Sequence, residues 1–140
     1  MSESSLTKHE QLVNDYIDLW NGDFSKREVV AESATLSDPG LPEGEIHGRG
    51  AVEAFIRKLR TGFPDFHVTI DEHLTSDETV MAEWTATGTH DGEFNGMPPT
   101  GREMELKGMD TIVVSDEKVL EHRIYYDVQD LLEQLGVGEE

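Results

Sequence analysis

The chain has 140 residues, with 30 Asp and Glu against 11 Lys and Arg, a formal net charge of −19 and no cysteine. That length suits one domain, 1–140, and the missing thiols exclude disulfides, thiolate nucleophiles and cysteine metal sites. Such acidity repels phosphate backbones and anionic membrane surfaces, so neither nucleic acid nor membrane is an expected partner.

The first predicted element is a helix from about Thr7 to Trp20, with Leu12, Val13, Tyr16, Ile17 and Trp20 at helical spacing and a Thr7–Glu10 capping box. Asn21-Gly22 ends it, and a short helix is expected over Lys26–Ala31. Ser33–Asp38 reads as a strand stopped by Pro39, and residues 39–47 as a loop. A further helix is predicted from about Gly50 to Gly62, burying Val52, Phe55, Ile56 and Leu59. After Phe63-Pro64-Asp65 the apolar period changes from 3.6 to 2. Phe66, Val68 and Ile70 mark one strand, and Val80, Ala82, Trp84, Ala86 and Gly88 the inner side of the next. A loop over Gly92–Gly101 precedes strands at Arg102–Val114 and Val119–Asp127, joined by a turn at Ser115-Asp116-Glu117. A last amphipathic helix, Val128–Leu135, stops at Gly136. Helices first and consecutive strands after predict an α+β domain with helices on one face of an antiparallel sheet.

The scattered carboxylates and scarce lysines fit the solvated surface of a halophile's protein. No apolar run approaches the roughly 20 residues of a membrane span. The polar N-terminus lacks a secretory leader, so a soluble, cytoplasmic protein is expected.

Three stretches resemble a known family. They are His47-Gly48 leading to Phe63-Pro64-Asp65; Gly88 to Phe94 running into Pro98-Pro99-Thr100-Gly101-Arg102; and Lys118 to His122 leading to Tyr125-Tyr126-Asp127 and Gln134-Leu135-Gly136. In this order they are similar to the SnoaL-like polyketide cyclases of the NTF2-like superfamily. The resemblance implies a cone-shaped α+β barrel, a strongly bent sheet wrapped around the helices with a pocket between them. It also implies a homodimer paired through the outer face of the sheet, where the row Thr85, Thr87, Thr89 is expected. The reaction implied is an intramolecular aldol condensation of a hydrophobic, polyketide-like small molecule, with no cofactor and no metal.

Within that frame Asp127 occupies the place of the family's acid/base aspartate. By strand parity Val119, Glu121, Arg123, Tyr125 and Asp127 share one face, which is expected to look into the pocket. The residues alone equally make Asp127 the N-cap of the last helix. His90, Arg102 and Arg123 are candidate donors to a developing enolate, His90 on the pocket face with Trp84 and Arg102 at the mouth. Arg123 needs a carboxylate partner if buried, Asp110 or Asp127. Asp110 is in phase with Leu106 and Ile112 and is expected to face inward, with Met109 beside it and Tyr125 completing the pocket. Tyr16, from the buried stripe of the first helix, reads as core packing and Asp38 as a turn residue; with Asp110, Tyr16 would match the oxyanion hole that ketosteroid-isomerase-like relatives use, and Asp38 would then be the base. An isomerase, dehydratase or hydrolase, or a non-catalytic binder of hydrophobic molecules, are therefore the alternatives to a cyclase. His9, His67 and His122 are set aside as pointing away, and His73 sits where Asp71-Glu72 suggests a bulge. No H-x-x-x-H spacing supports a zinc site.

Overall fold

The computed structural model describes residues 8–136. The Thr7 end of the expected capping box lies outside them. Helix α1 (Lys8–Trp20) buries Leu12, Val13, Tyr16, Leu19 and Trp20. A 3-10 helix, Phe24–Val29, follows, with the Asp23 side chain accepting the Ser25 N–H as its cap. It corrects the expected helix over Lys26–Ala31. Val30 begins β1 (Val30–Ser37), because Val30, Ala34 and Leu36 are needed as inward residues of the sheet. The segment read as a loop holds a short strand, β2 (Glu45–His47), paired antiparallel with β1. Helix α2 spans Arg49–Gly62.

Three antiparallel pairings link β3 (His67–Ser76), β4 (Thr79–Thr89), β5 (Glu103–Ser115) and β6 (Lys118–Tyr125). Strand β1 then adds to β6 in parallel. The order is β2-β1-β6-β5-β4-β3. The sheet is curved but open, with β2 and β3 as edges, so it is not a closed barrel. Helix α3 (Val128–Leu135) ends at Gly136, whose left-handed φ of 77° suits glycine. Helices α1 and α2 cover the inner face, α1 against β3 and β6 and α2 against β1, while α3 packs on β5.

Two register shifts decide which side chains face inward. In β3 the ladder slips between Ile70 and Glu72, the bulge expected near His73. In β6 Val119 pairs with Val114 and Glu121 with Val113, so Leu120 is an extra residue with no partner on β5. A one-residue bulge reverses the alternation beyond it. Val119 is inward before the bulge; after it the inward residues are His122 and Ile124. Glu121, Arg123 and Tyr125 consequently face out, and Tyr125 is 57% exposed. No helix among the described residues is long and apolar enough to cross a membrane.

Candidate active site

A cavity of ≈ 90 Å³ opens between the helices and the inner face of the sheet. Its wall is mostly apolar: Trp20 from α1, Phe55 and Leu59 from α2, and Phe66, Trp84, Leu106 and Ile124 from the strands. Ile17, Phe55, Leu59 and Ile70 line it while remaining half-buried, and they mark its approach to the surface. Four polar side chains interrupt this wall, Asp38, Asp110, His122 and Tyr126. Among the described residues, no Lys or Arg lines it.

The four are arranged around β6. Asp110 lies on β5, one strand to one side, and Asp38 just past the end of β1, one strand to the other. Two inward residues of the β6 segment each reach one of these carboxyls. His122 Nε2 is 2.7 Å from Asp110 Oδ2, and both residues are buried. Tyr126 donates its hydroxyl to Asp38 Oδ1 at 3.1 Å.

The Asp110 side continues into α1. The Tyr16 hydroxyl is 2.8 Å from His122 Nδ1. Burial pushes the Tyr16 hydroxyl's pKa far up, so it stays protonated and can donate. One assignment uses every donor: Tyr16 O–H to His122 Nδ1, and His122 Nε2–H to Asp110 Oδ2. Trp20 packs edge-on against both Tyr16 and His122 and fixes the ring orientations. Its indole N–H lies near the Tyr16 hydroxyl without completing a hydrogen bond.

The Asp38 side is different. Its Oδ1 accepts the Gly40 N–H at 2.7 Å as well as the Tyr126 hydroxyl, and Oδ2 has no donor among the described residues. Burial raises the carboxyl's pKa; the Gly40 N–H, the Tyr126 hydroxyl and the nearby His122 only partly oppose it. Gly40 is required here: a Cβ would stand 2.7 Å from the Tyr126 hydroxyl and 3.2 Å from Asp38 Oδ1.

The expected site residues separate into three groups. Trp84 and Asp110 line the cavity, and Tyr16 stands behind His122. Tyr16 and Asp110 converge, but on His122 and not on a shared point in the cavity, because the imidazole fills the space between them. The second group is placed elsewhere. Asp127 is exposed at the N-cap of α3 and accepts the Asp130 N–H. Arg123 pairs with Glu121 at 2.7 Å on the outer face, with neither Asp110 nor Asp127. Tyr125 and Met109, cross-strand neighbours, lie outside with it; Met109 is 49% exposed, since β5 points Gly108 and Asp110 inward. Arg102 is exposed and packs over the end of α3 beside Gly136. His90 is inward and fully buried, but it stacks on Phe63 with Nδ1 3.1 Å from Thr100 Oγ1, behind the cavity wall. The last group comprises His122 and Tyr126, which parity alone missed. The signal was present: His122, Ile124 and Tyr126 alternate, as do Ala34, Leu36 and Asp38. Among the described residues, no group of three His, Asp or Glu is placed to hold a metal ion.

The sequence profile of the SnoaL-like polyketide cyclases matches residues 10–135. The chain belongs to the SnoaL-like polyketide cyclase family. A curated relative, the aklanonic acid methyl ester cyclase DnrD of Streptomyces peucetius, is 30% identical over 130 residues, covering 89% of this chain and 88% of DnrD. IdmH of Streptomyces antibioticus, described as a polyketide cyclase, superposes with a TM-score of 0.78 at 28% identity, covering 94% of this chain and 100% of IdmH. A protein of Jannaschia sp. CCS1, described as a SnoaL-like polyketide cyclase, has a TM-score of 0.84 at 20% identity and 99% coverage of both chains, a likeness of fold. Membership in this SnoaL-like family supports a cyclase-like role.

Proposed function

We propose that this SnoaL-like protein closes a ring by intramolecular aldol reaction in a polyketide-like molecule, with Asp38 as acid and base. The observation that carries this reading is the state of one carboxyl. Asp38 is buried in the cavity wall, one oxygen is fixed by two donors, the other has none, and its pKa is raised. A carboxyl with a raised pKa is both a better proton acceptor and a usable donor near neutral pH.

The chemistry balances without a co-reactant. Asp38 Oδ2 takes a proton from a methylene flanked by carbonyls, and the C–H electron pair becomes an enolate. The enolate carbon attacks a ketone carbon of the same molecule, forming the C–C bond. The ketone's π pair moves to oxygen, and the alkoxide takes the proton back from Asp38. The product is an isomer of the substrate. Because the methylene proton is already acidic, much of the acceleration comes from holding the two carbons together. The enclosed space is smaller than the roughly 150 Å³ engineered cavity that admits benzene. It therefore takes the reacting end of the substrate, and the rest lies at the mouth near Phe55 and Ile70. An isomerase reading needs the Tyr16 hydroxyl free for an oxyanion, whereas His122 engages it.

The test uses the ester named for DnrD. Aklanonic acid methyl ester, incubated with the protein, is expected to give a chromatographically distinct product of unchanged mass. Asp38→Asn keeps the acceptor for Tyr126 and Gly40 and should lower turnover by about 10²–10⁴. Turnover equal to that of the unaltered protein would remove Asp38 from the reaction.

A further inference from the structure

Three buried polar atoms of cavity residues have no hydrogen-bond partner among the described residues, and one of them, Trp20 Nε1, lies near the Tyr16 hydroxyl. Trp84 Nε1 and Asp110 Oδ1 are buried and make no hydrogen bond among the described residues. The two residues are 7% and 5% exposed and both line the cavity. An unpaired buried donor or acceptor costs about 1–3 kcal/mol, so two beside one cavity mark groups awaiting a ligand.

The sheet brings them together. Trp84 pairs with Gly108 across the β4–β5 ladder, and Asp110 is the next inward residue on β5. Such diagonal neighbours on one face lie roughly 7–8 Å apart, the reach of one small molecule. Gly108 sets the indole's pose. A Cβ there would stand 2.3 Å from Trp84 Cζ2 and 2.5 Å from the Tyr125 carbonyl oxygen, so only glycine lets the ring lie flat across β5. On its other side the ring meets Tyr126 edge-on, with centroids 6.3 Å apart. Asp110 is equally fixed, its other oxygen being held by His122 at 2.7 Å.

One free donor and one free acceptor define a ligand with the reverse pair. We infer that Trp84 Nε1–H holds a carbonyl oxygen of the substrate while Asp110 Oδ1 accepts a hydroxyl of the same molecule, and that the ligand class is the enol form of a 1,3-dicarbonyl. An enolised 1,3-dicarbonyl carries a carbonyl acceptor and a hydroxyl donor on one short, flat, apolar frame. The indole N–H would also strengthen its bond as charge gathers on that oxygen, so Trp84 serves both selection and catalysis. This rests on the cyclase reading for its substrate, but its test does not depend on turnover.

The chain has two tryptophans, so a ¹H–¹⁵N spectrum shows two indole signals, assigned with Trp84→Phe. The probe is 1-phenylbutane-1,3-dione, with n-butylbenzene as a control of similar shape without oxygen. The expected result is a downfield shift of the Trp84 indole proton with the diketone, larger than that of Trp20 and larger than with the hydrocarbon. Equal shifts from both probes would overturn the inference, as would an unmoved Trp84 signal or no binding of the diketone at saturation. A responsive Trp84 without cyclisation of the ester would defeat the cyclase reading alone. Cyclisation that depends on Asp38 with an unresponsive indole would defeat this inference alone.

Discussion

Replacing Tyr16 with Phe removes one oxygen from the hydrogen-bonded row Tyr16–His122–Asp110 and leaves every carbon contact in place. The loss should nevertheless be large. His122 Nδ1 sits in a residue 4% exposed, and its hydrogen bond comes from that hydroxyl. A buried acceptor left unpaired costs about 1–3 kcal/mol. For a domain of this size each kcal/mol corresponds to roughly 3–4 °C in Tm, so a drop of about 3–12 °C is expected. Tyr126→Phe provides the internal comparison. Asp38 Oδ1 keeps the Gly40 N–H in that variant, and Tyr126 is only half-buried, so the drop should be smaller. Calorimetric melts of the three proteins at pH 7 measure both differences. A Tyr16→Phe Tm within about a degree of the parent, or a larger drop in Tyr126→Phe, would refute the claim that the Tyr16–His122 hydrogen bond is a buried, stabilising contact.

Asp38→Asn should also reveal the raised pKa as a pH-dependent stability gain. The folded state holds the Asp38 proton more tightly than the unfolded chain does. Its contribution is intact below the unfolded carboxyl pKa of about 3.9 and is lost as pH rises through the higher folded value. The Tm advantage of Asp38→Asn should grow from pH 4 upward and then level; a constant difference across pH 4–8 would contradict burial as the cause. Asp127→Ala should cost about 1 kcal/mol in stability through the lost cap of α3 and leave cyclisation of the ester unchanged, as read by melting and by product chromatography. With a net charge of −19, the protein should melt higher in molar salt than at low ionic strength, and a flat Tm across that range would show that self-repulsion is already offset.

Much of this fold is written locally. The stripe of α1, the Gly50–Gly62 helix and the strict alternation of β4 each follow from side-chain period, and the structure has them within a residue or two. The strand β2 was hidden because its three residues form no pattern of their own; pairing with β1 creates it. The cavity was harder to read for one reason. Parity carried Val119 forward to Tyr125 and Asp127, and nothing in the sequence announces that Leu120 is unpaired. The bulge appears only when β5 and β6 are laid side by side, with Val113 facing Glu121 and Val114 facing Val119. Asp110 and Trp84 lie on the unshifted β4–β5 ladder, where simple alternation gives the face each occupies, as it does not for Arg123 and Tyr125 beyond the bulge.

That extra residue makes the chemistry of the wall a matter of counting. Closing the bulge with Leu120 kept, so that Leu120 paired with Val113, would rotate the remainder of β6 by one position, turning Arg123 and Tyr125 inward and sending His122 and Tyr126 out. A site built on carboxylates and imidazole would become one lined by guanidinium and phenol, without a single codon downstream being rewritten. In this scaffold, a change of register within β6 is as direct a route to new reactivity as substitution. Relatives that differ in length between Val119 and Ile124 should accordingly be aligned by the face each residue occupies before their active sites are compared.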